Sequence, residues 1–336
     1  MGIPVTIVSG FLGAGKTTLI NQALASTHIP KEEILIVENE FGEAGIDHEL
    51  LLHTDEQILQ LNNGCMCCSL REDLVTVLFG VEELADKLGQ PISQLIIETT
   101  GIADPQPILQ TLLTTPHLRD RYYIDSILTV VDSQNFTHCL AEPILHKQLA
   151  VSDRIFLSLK DENEPSILLE RLKQLNPLAD QRVFSAAAPI EGMDFFQLNK
   201  FHEPLQLADK DDHTASLNHP DDHSQQHEGH HHSHDHENEH GFQTLAFSTD
   251  QPLNEKLLTR WLDWLLMVNQ EQLYRLKGIV TLQDRDLAIA VQGVNQQVNF
   301  QLTTIPAGST KIVLIGKELD AQQIEETFYK ICKISA

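Results

Sequence analysis

Two short stretches of this chain carry residues whose types and spacing imply chemistry. The first, Gly10-Phe11-Leu12-Gly13-Ala14-Gly15-Lys16-Thr17, fits the pattern G-x-x-x-x-G-K-[S/T]. Glycines let the backbone curl until its N–H groups face phosphate oxygens, and a helix starting at the lysine adds its positive end. Lys16 supplies a mobile charge for the outer phosphates of a nucleotide. Thr17 offers a hydroxyl to Mg2+. The second stretch is Cys65-Met66-Cys67-Cys68, preceded by Gly64. Three thiolates at i, i+2 and i+3 can converge on one soft or borderline metal ion where the backbone turns, and Gly64 permits a turn. Buried apolar cysteines and a redox dithiol are the alternative readings of the cluster.

Further candidates lie around these two. The apolar run Leu95-Ile96-Ile97 ends in Glu98, and Gly101 follows. Glu98 suits the Mg2+ shell, directly or through water, and Gly101 can bring an N–H toward the γ-phosphate. Asp161 stands where a guanine-reading carboxylate is expected. The preceding Ser158-Leu159 replaces the usual Asn-Lys, and Lys160 comes one place late. GTP is the expected nucleotide, with ATP or mixed specificity open. The acidic loop at 38–43 reads as a segment responsive to the γ-phosphate, with Glu43 a candidate contributor to Mg2+ or to the transferred metal. Ten histidines lie between His213 and His240, among them His230, His231, His232, His234 and His236. Imidazoles in an acidic tract make weak, multiple, fast-exchanging sites for Zn2+, Co2+ or Ni2+.

These residues need elements to hold them. Apolar β-branched runs at 4–9, 34–37, 58–61, 95–97, 127–131, 154–157 and 182–184 read as buried strands. Helical patterns, as at 16–25, 70–88 and 166–175, separate most of them. Such alternation predicts the α/β class: a P-loop NTPase sheet with helices on both faces. The stretch 209–240 has almost no aliphatic residues and reads as a disordered linker. Beyond it, strands at 242–247, 278–282, 286–292 and 311–315 and helices at 254–268 and 320–331 predict a small α+β C-terminal domain. The expected division is 1–205, a linker at 206–241, and 242–336.

Composition narrows the partners. A net charge of −25 argues against nucleic acid as a ligand, since phosphate contacts need clustered Lys and Arg. No apolar run approaches the ~18 residues of a membrane span. The N-terminus reads as carrying no secretory signal, so the expected location is cytoplasmic. In that setting five cysteines, three of them within four residues, read as a metal or redox site and not as a disulfide framework.

Taken together, 10–18 (GFLGAGKTT), 38–43 (ENEFGE), 64–68 (GCMCC) and 98–105 (ETTGIADP) resemble the CobW-type metallochaperone GTPases, kin of HypB and UreG. The segments 273–278 (LYRLKG) and 291–294 (VQGV) resemble that family's C-terminal domain. The resemblance covers the chain outside the histidine tract and looks closest to the zinc-associated branch. It implies metal-stimulated GTP hydrolysis and delivery of zinc, or a similar metal, to a client protein. It carries residues Gly10 to Thr18 over as phosphate contacts, Thr18 included, and Cys65, Cys67 and Cys68 as metal ligands. A metal- or nucleotide-dependent homo-oligomer is a further expectation. The competing functions are a passive zinc store with a vestigial P-loop and a small-molecule kinase using the same loop.

Overall fold

Strands buried on both faces read as continuous apolar runs, and the first half of the chain is built from them. The structure is a computed structural model that describes residues 2–40, 57–62, 69–89, 91–160, 165–205, 241–294 and 296–335. Glu43, Cys65, Cys67, Cys68, Asp161 and the histidines of the 206–240 stretch therefore lie outside the described residues.

The elements run β1 (Ile3–Gly10), α1 (Lys16–Ala25), β2 (Ile34–Glu40), β3 (Gln57–Asn62), α2 (Ser69–Leu88) and β4 (Gln94–Thr99). Then come α3 (Gln106–Thr114), α4 (Pro116–Arg121), β5 (Tyr122–Asp132), α5 (Phe136–Cys139), α6 (Pro143–Val151), β6 (Arg154–Ser158), α7 (Ser166–Leu175) and β7 (Asp180–Phe184). These seven strands form one parallel sheet in the order β3-β2-β4-β1-β5-β6-β7. Alternate residues leave opposite faces. Leu35 and Val37 join Leu74, Leu78 and Leu109 on one side, whereas Ile34 and Ile36 join Leu19, Ile20 and Phe195 on the other. Helices cover both faces, as the alternation of patterns requires.

The second sheet is antiparallel. It comprises β8 (Phe242–Thr249), β9 (Leu273–Val280), β10 (Leu287–Val294), β11 (Gln297–Pro306) and β12 (Thr310–Lys317), in the order β11-β10-β9-β12-β8. Helices α8 (Glu255–Val268) and α9 (Ala321–Ser335) pack on it through Trp261, Leu265, Ile324 and Phe328. The Asn254 side chain caps α8, accepting from the Lys256 and Leu257 N–H groups. The expected α/β sheet and small α+β domain are both present. Three details differ from the sequence reading. The run 182–184, expected as a buried strand, lies in the edge strand β7, where Arg182 and Val183 are exposed and Phe184 alone is buried. The strand expected at 278–282 is β9, which starts earlier at Leu273, and β11 has no counterpart among the expected strands. No helix among the described residues is long and apolar enough to cross a membrane.

The two sheets meet along β9. Arg275 and Asp153 are each only 2% exposed and pair at 2.7 Å, and the Arg275 guanidinium lies 4.9 Å from the Phe201 ring. Phe242, Tyr274 and Ile315 of the second sheet share an apolar cluster with residues of α6 and α7.

Candidate functional site

The carboxyl end of β1 delivers the glycine-rich loop. Gly10 has φ of +138°, and a Cβ there would meet the Val130 carbonyl oxygen at 2.3 Å. No other residue fits that position. The helix α1 begins at Lys16 directly after Gly15, so its N-terminus opens on the loop. Lys16 is buried, and its Nζ donates to the Gly10 carbonyl at 3.0 Å and to Phe11 O at 3.4 Å. Burial lowers its pKa, and the neighbouring Glu98 acts in the opposite direction.

Thr17 and Glu98 are 81 residues apart in sequence and meet in space: Thr17 Oγ1 donates to Glu98 Oε1 at 3.0 Å. The parallel pairing of β1 with β4 sets this meeting, with Val8 in register with Glu98. A cleft of about 430 Å3 opens here, lined by Gly13, Lys16, Thr17, Glu38, Glu98 and Gly101. The hydroxyl and carboxylate are hard oxygen donors, and so they fit Mg2+. At Gly101 a Cβ would sit 2.3 Å from Leu12 N, so only glycine lets this segment lie against the phosphate loop. Thr18 lines the same cleft, and Ala14 is buried within the loop.

Three residues hold this loop system together, of which the sequence reading named only Lys160, and in another role. Lys160, which follows β6, donates to the Gly13 carbonyl at 3.1 Å and to Asp132 Oδ2 at 2.8 Å. Burial pushes the Asp132 pKa up, but hydrogen bonds from Lys160, Asn135 and the Gln134 N–H outweigh it and leave the carboxyl below its ordinary value. The pairing of β5 with β6 puts Asp132 opposite Ser158 and so brings Lys160 into reach. The third residue is Gln148 of α6, whose amide donates to Ala103 O at 3.0 Å and to Gly101 O at 3.3 Å. Beside it Lys147 pairs with Asp104 at 2.9 Å. The sequence sign of Lys160 was its place one position late in the loop after β6, and Asp132 stands directly after the apolar run 127–131. Gln148 left none.

Among the described residues no group of three or more His, Cys, Asp or Glu side chains stands together as a metal-ligand set. Cys139 and Cys332 are free and separate.

Comparison with known proteins agrees with this geometry. Residues 4–182 match the nucleotide-binding domain of the CobW/HypB/UreG family, and residues 242–332 match the cobalamin synthesis protein CobW C-terminal domain. The chain is 30% identical to the zinc chaperone YjiA of Escherichia coli, over 97% of this chain and 98% of that protein. It is also 30% identical to the zinc chaperone CobW of Pseudomonas aeruginosa, over 96% of this chain and 89% of that one. The crystal structure of Zn(II)-bound YjiA GTPase from E. coli superimposes with a TM-score of 0.71 at 25% identity, covering 98% of this chain and 99% of that one. The first domain is thus a P-loop nucleotidase domain homologous to a known GTPase. With both of its halves matched and the phosphate loop in place, the chain belongs to the CobW/HypB/UreG family of P-loop GTPases, in the branch of the zinc chaperones YjiA and CobW.

Proposed function

We propose that this protein binds GTP and Mg2+ at the phosphate-loop cleft, hydrolyses the nucleotide, and uses that cycle to pass a transition metal, zinc first, to a client protein. The observation that carries the nucleotide half is the convergence of Lys16, Thr17 and Glu98 on one cleft from two parallel strands. Lys16, the Gly10–Gly15 backbone and Thr18 would hold the phosphates. Thr17 and Glu98 would hold Mg2+, which, when bound, neutralises developing charge on the phosphate oxygens. The Gly101 N–H faces the γ-phosphate position in this reading, and Asp161 is the proposed base reader. Lys160, its neighbour in sequence, reaches the Gly13 carbonyl of the phosphate loop.

The metal half rests on the sequence of the cysteine cluster and on its flanks. The cluster falls between β3 and α2. Asn62 at the end of β3 is in register with Glu40, and the neighbouring Asn39 with Thr99. The chain therefore enters the cysteine segment from the same carboxyl edge as Glu98, two strand spacings or about 10 Å away. Cys65, Cys67 and Cys68 are the proposed tight site for the cargo ion, with Glu43 as an added ligand. The histidine tract is the proposed arm that gathers metal weakly, Co2+ and Ni2+ as well as Zn2+. The reading is of a cytoplasmic protein divided at 1–205, 206–241 and 242–336, with self-association dependent on metal or nucleotide.

GTP turnover with and without one equivalent of Zn2+ tests the proposal. Turnover should change with zinc in the wild type and lose that response when Cys65, Cys67 and Cys68 are replaced by Ser. Deleting 209–240 should remove weakly bound metal and leave the tight site. A passive store would show no turnover in any of these proteins.

A further inference from the structure

The open edge of the second sheet is bordered by a cavity on each face. Among the described strands β11 pairs with β10 alone. On the face toward the first sheet lies a cavity of about 470 Å3. The first half of the chain lines it with Tyr122 and Tyr123, beside Arg119 and His202, and the second sheet presents Gln292, Asn299 and Gln301. Gln292 and Asn299 are directly opposed in the ladder and Gln301 stands two residues on, so the three carboxamides share one face. Gln292 is only 5% exposed, and neither its Oε1 nor its Nε2 has a partner. A buried amide with donor and acceptor both unmatched is costly, and it is matched by a ligand that offers both.

The opposite face has different chemistry. A groove of about 240 Å3 runs between α8 and the sheet, lined by Leu258, Leu282, Ile289, Val291 and Leu302. Leu302 is 73% exposed and Phe300 52%. Proteins usually guard a long open strand with lysines, prolines or bulges. Here the bulge between Leu287 and Ile289, and Pro306, stand only at the far end. Residues 287–310 run for 24 positions without a charged side chain, in a chain whose net charge is −25.

We propose that this edge docks an extended, uncharged peptide segment of a partner protein. The segment adds to β11 as a further strand and sends alternate side chains into the two cavities: amide- or hydroxyl-bearing toward Gln292, aliphatic toward Leu302. Main-chain hydrogen bonds supply affinity in such pairing and the alternating cavities supply selectivity. Two copies of this chain, each at −25, repel one another beyond the edge itself, whereas a neutral segment of another protein meets no such field. That the partner is the metal recipient rests on the function proposed above; the peptide site does not.

The test uses the full chain without nucleotide or metal, titrated with dye-labelled seven-residue blocked peptides in which leucine alternates with glutamine and threonine, in both registers. Saturable binding is expected in fluorescence anisotropy. It should weaken about tenfold with Gln292→Leu, the loss of one buried amide pairing. Leu302→Lys and N-methylation of alternate peptide nitrogens should each abolish it. Gln292→Leu removes an unmatched amide, so its melting temperature should stay level or rise, which separates lost binding from lost folding. No saturable binding of either register, or binding indifferent to Gln292→Leu and Leu302→Lys, overturns the proposal. Sedimentation equilibrium covers the other occupant: a dimer abolished by Leu302→Lys and unaffected by peptide assigns the edge to a second copy and overturns it too. Peptide binding by a protein that shows no zinc-responsive GTP turnover supports the site while rejecting the metal recipient as its partner.

Discussion

The Lys16 ammonium reaches the Gly10 and Phe11 carbonyls from within the loop, and a phosphate oxygen that takes over those contacts makes a charge-assisted one. Lys16→Ala should therefore lower nucleotide affinity by about one to two orders of magnitude, the range for a hydrogen bond to a charged group. Its melting temperature should stay near that of the wild type, because the hydrogen bonds of its ammonium go to the loop's own Gly10 and Phe11 carbonyls. Equilibrium binding of a fluorescent GTP analogue, with a thermal melt alongside, measures both. Near-normal affinity would remove Lys16 from the phosphate site. Lys16, Thr17, Glu98 and Gly101 were legible in the sequence because each sits in a local pattern tied to a strand end. The contacts of Lys160, Asp132 and Gln148 were not, because they span 147, 28 and 47 residues and only the strand order creates them.

At the scale of elements, α6 and the strand after it connect the two halves. Lys147 and Gln148 hold the 101–104 segment, and Asp153, just past the helix, pairs with Arg275 of β9. Asp153→Leu strands a buried guanidinium and should cost about 3–5 kcal/mol in urea unfolding. Replacing Asp153 and Arg275 together with Leu and Met should restore much of that loss. Lys277, two residues along β9, is buried and its pKa is lowered to about 8; desolvation is the main cause, partly opposed by Asp153. The ordinary lysine value is higher, so between about pH 8 and 10.5 the unfolded chain binds more protons than the folded one, and this residue makes stability rise with pH. Lys277→Met should be more stable than the wild type at pH 7, with the difference shrinking toward pH 10. A constant difference across that range would mean that its charge is not what burial opposes. The α/β sheet was readable because its central strands β1, β4, β5 and β6 are buried on both faces. β11 was passed over because it holds no continuous apolar run: Gln297, Asn299 and Gln301 alternate with Val298, Phe300 and Leu302, the pattern of a strand that is mostly exposed.

For the whole molecule, the proposed cycle needs the nucleotide and the metal to feel one another. The strand that leads into the cysteine segment ends at the same carboxyl edge of the sheet as Glu98, two strand spacings away, and the proposed cycle couples the two sites across that edge. Thermodynamic linkage then requires that GTP and GDP set different metal affinities, and that metal shift nucleotide affinity by the same factor. Couplings of this kind are typically ~1–3 kcal/mol, or roughly 5- to 150-fold. The cycle proposed here holds metal tightly with GTP and releases it after hydrolysis in the client complex. The direct measurement is a competition titration of Zn2+ against a chromophoric chelator, with the protein loaded with GDP or with a non-hydrolysable GTP analogue. The account predicts zinc affinity at least about fivefold higher in the GTP-analogue state. Equal affinities in the two states would leave hydrolysis without a thermodynamic hold on the metal and would contradict the account, even with an intact phosphate loop and a real thiolate site.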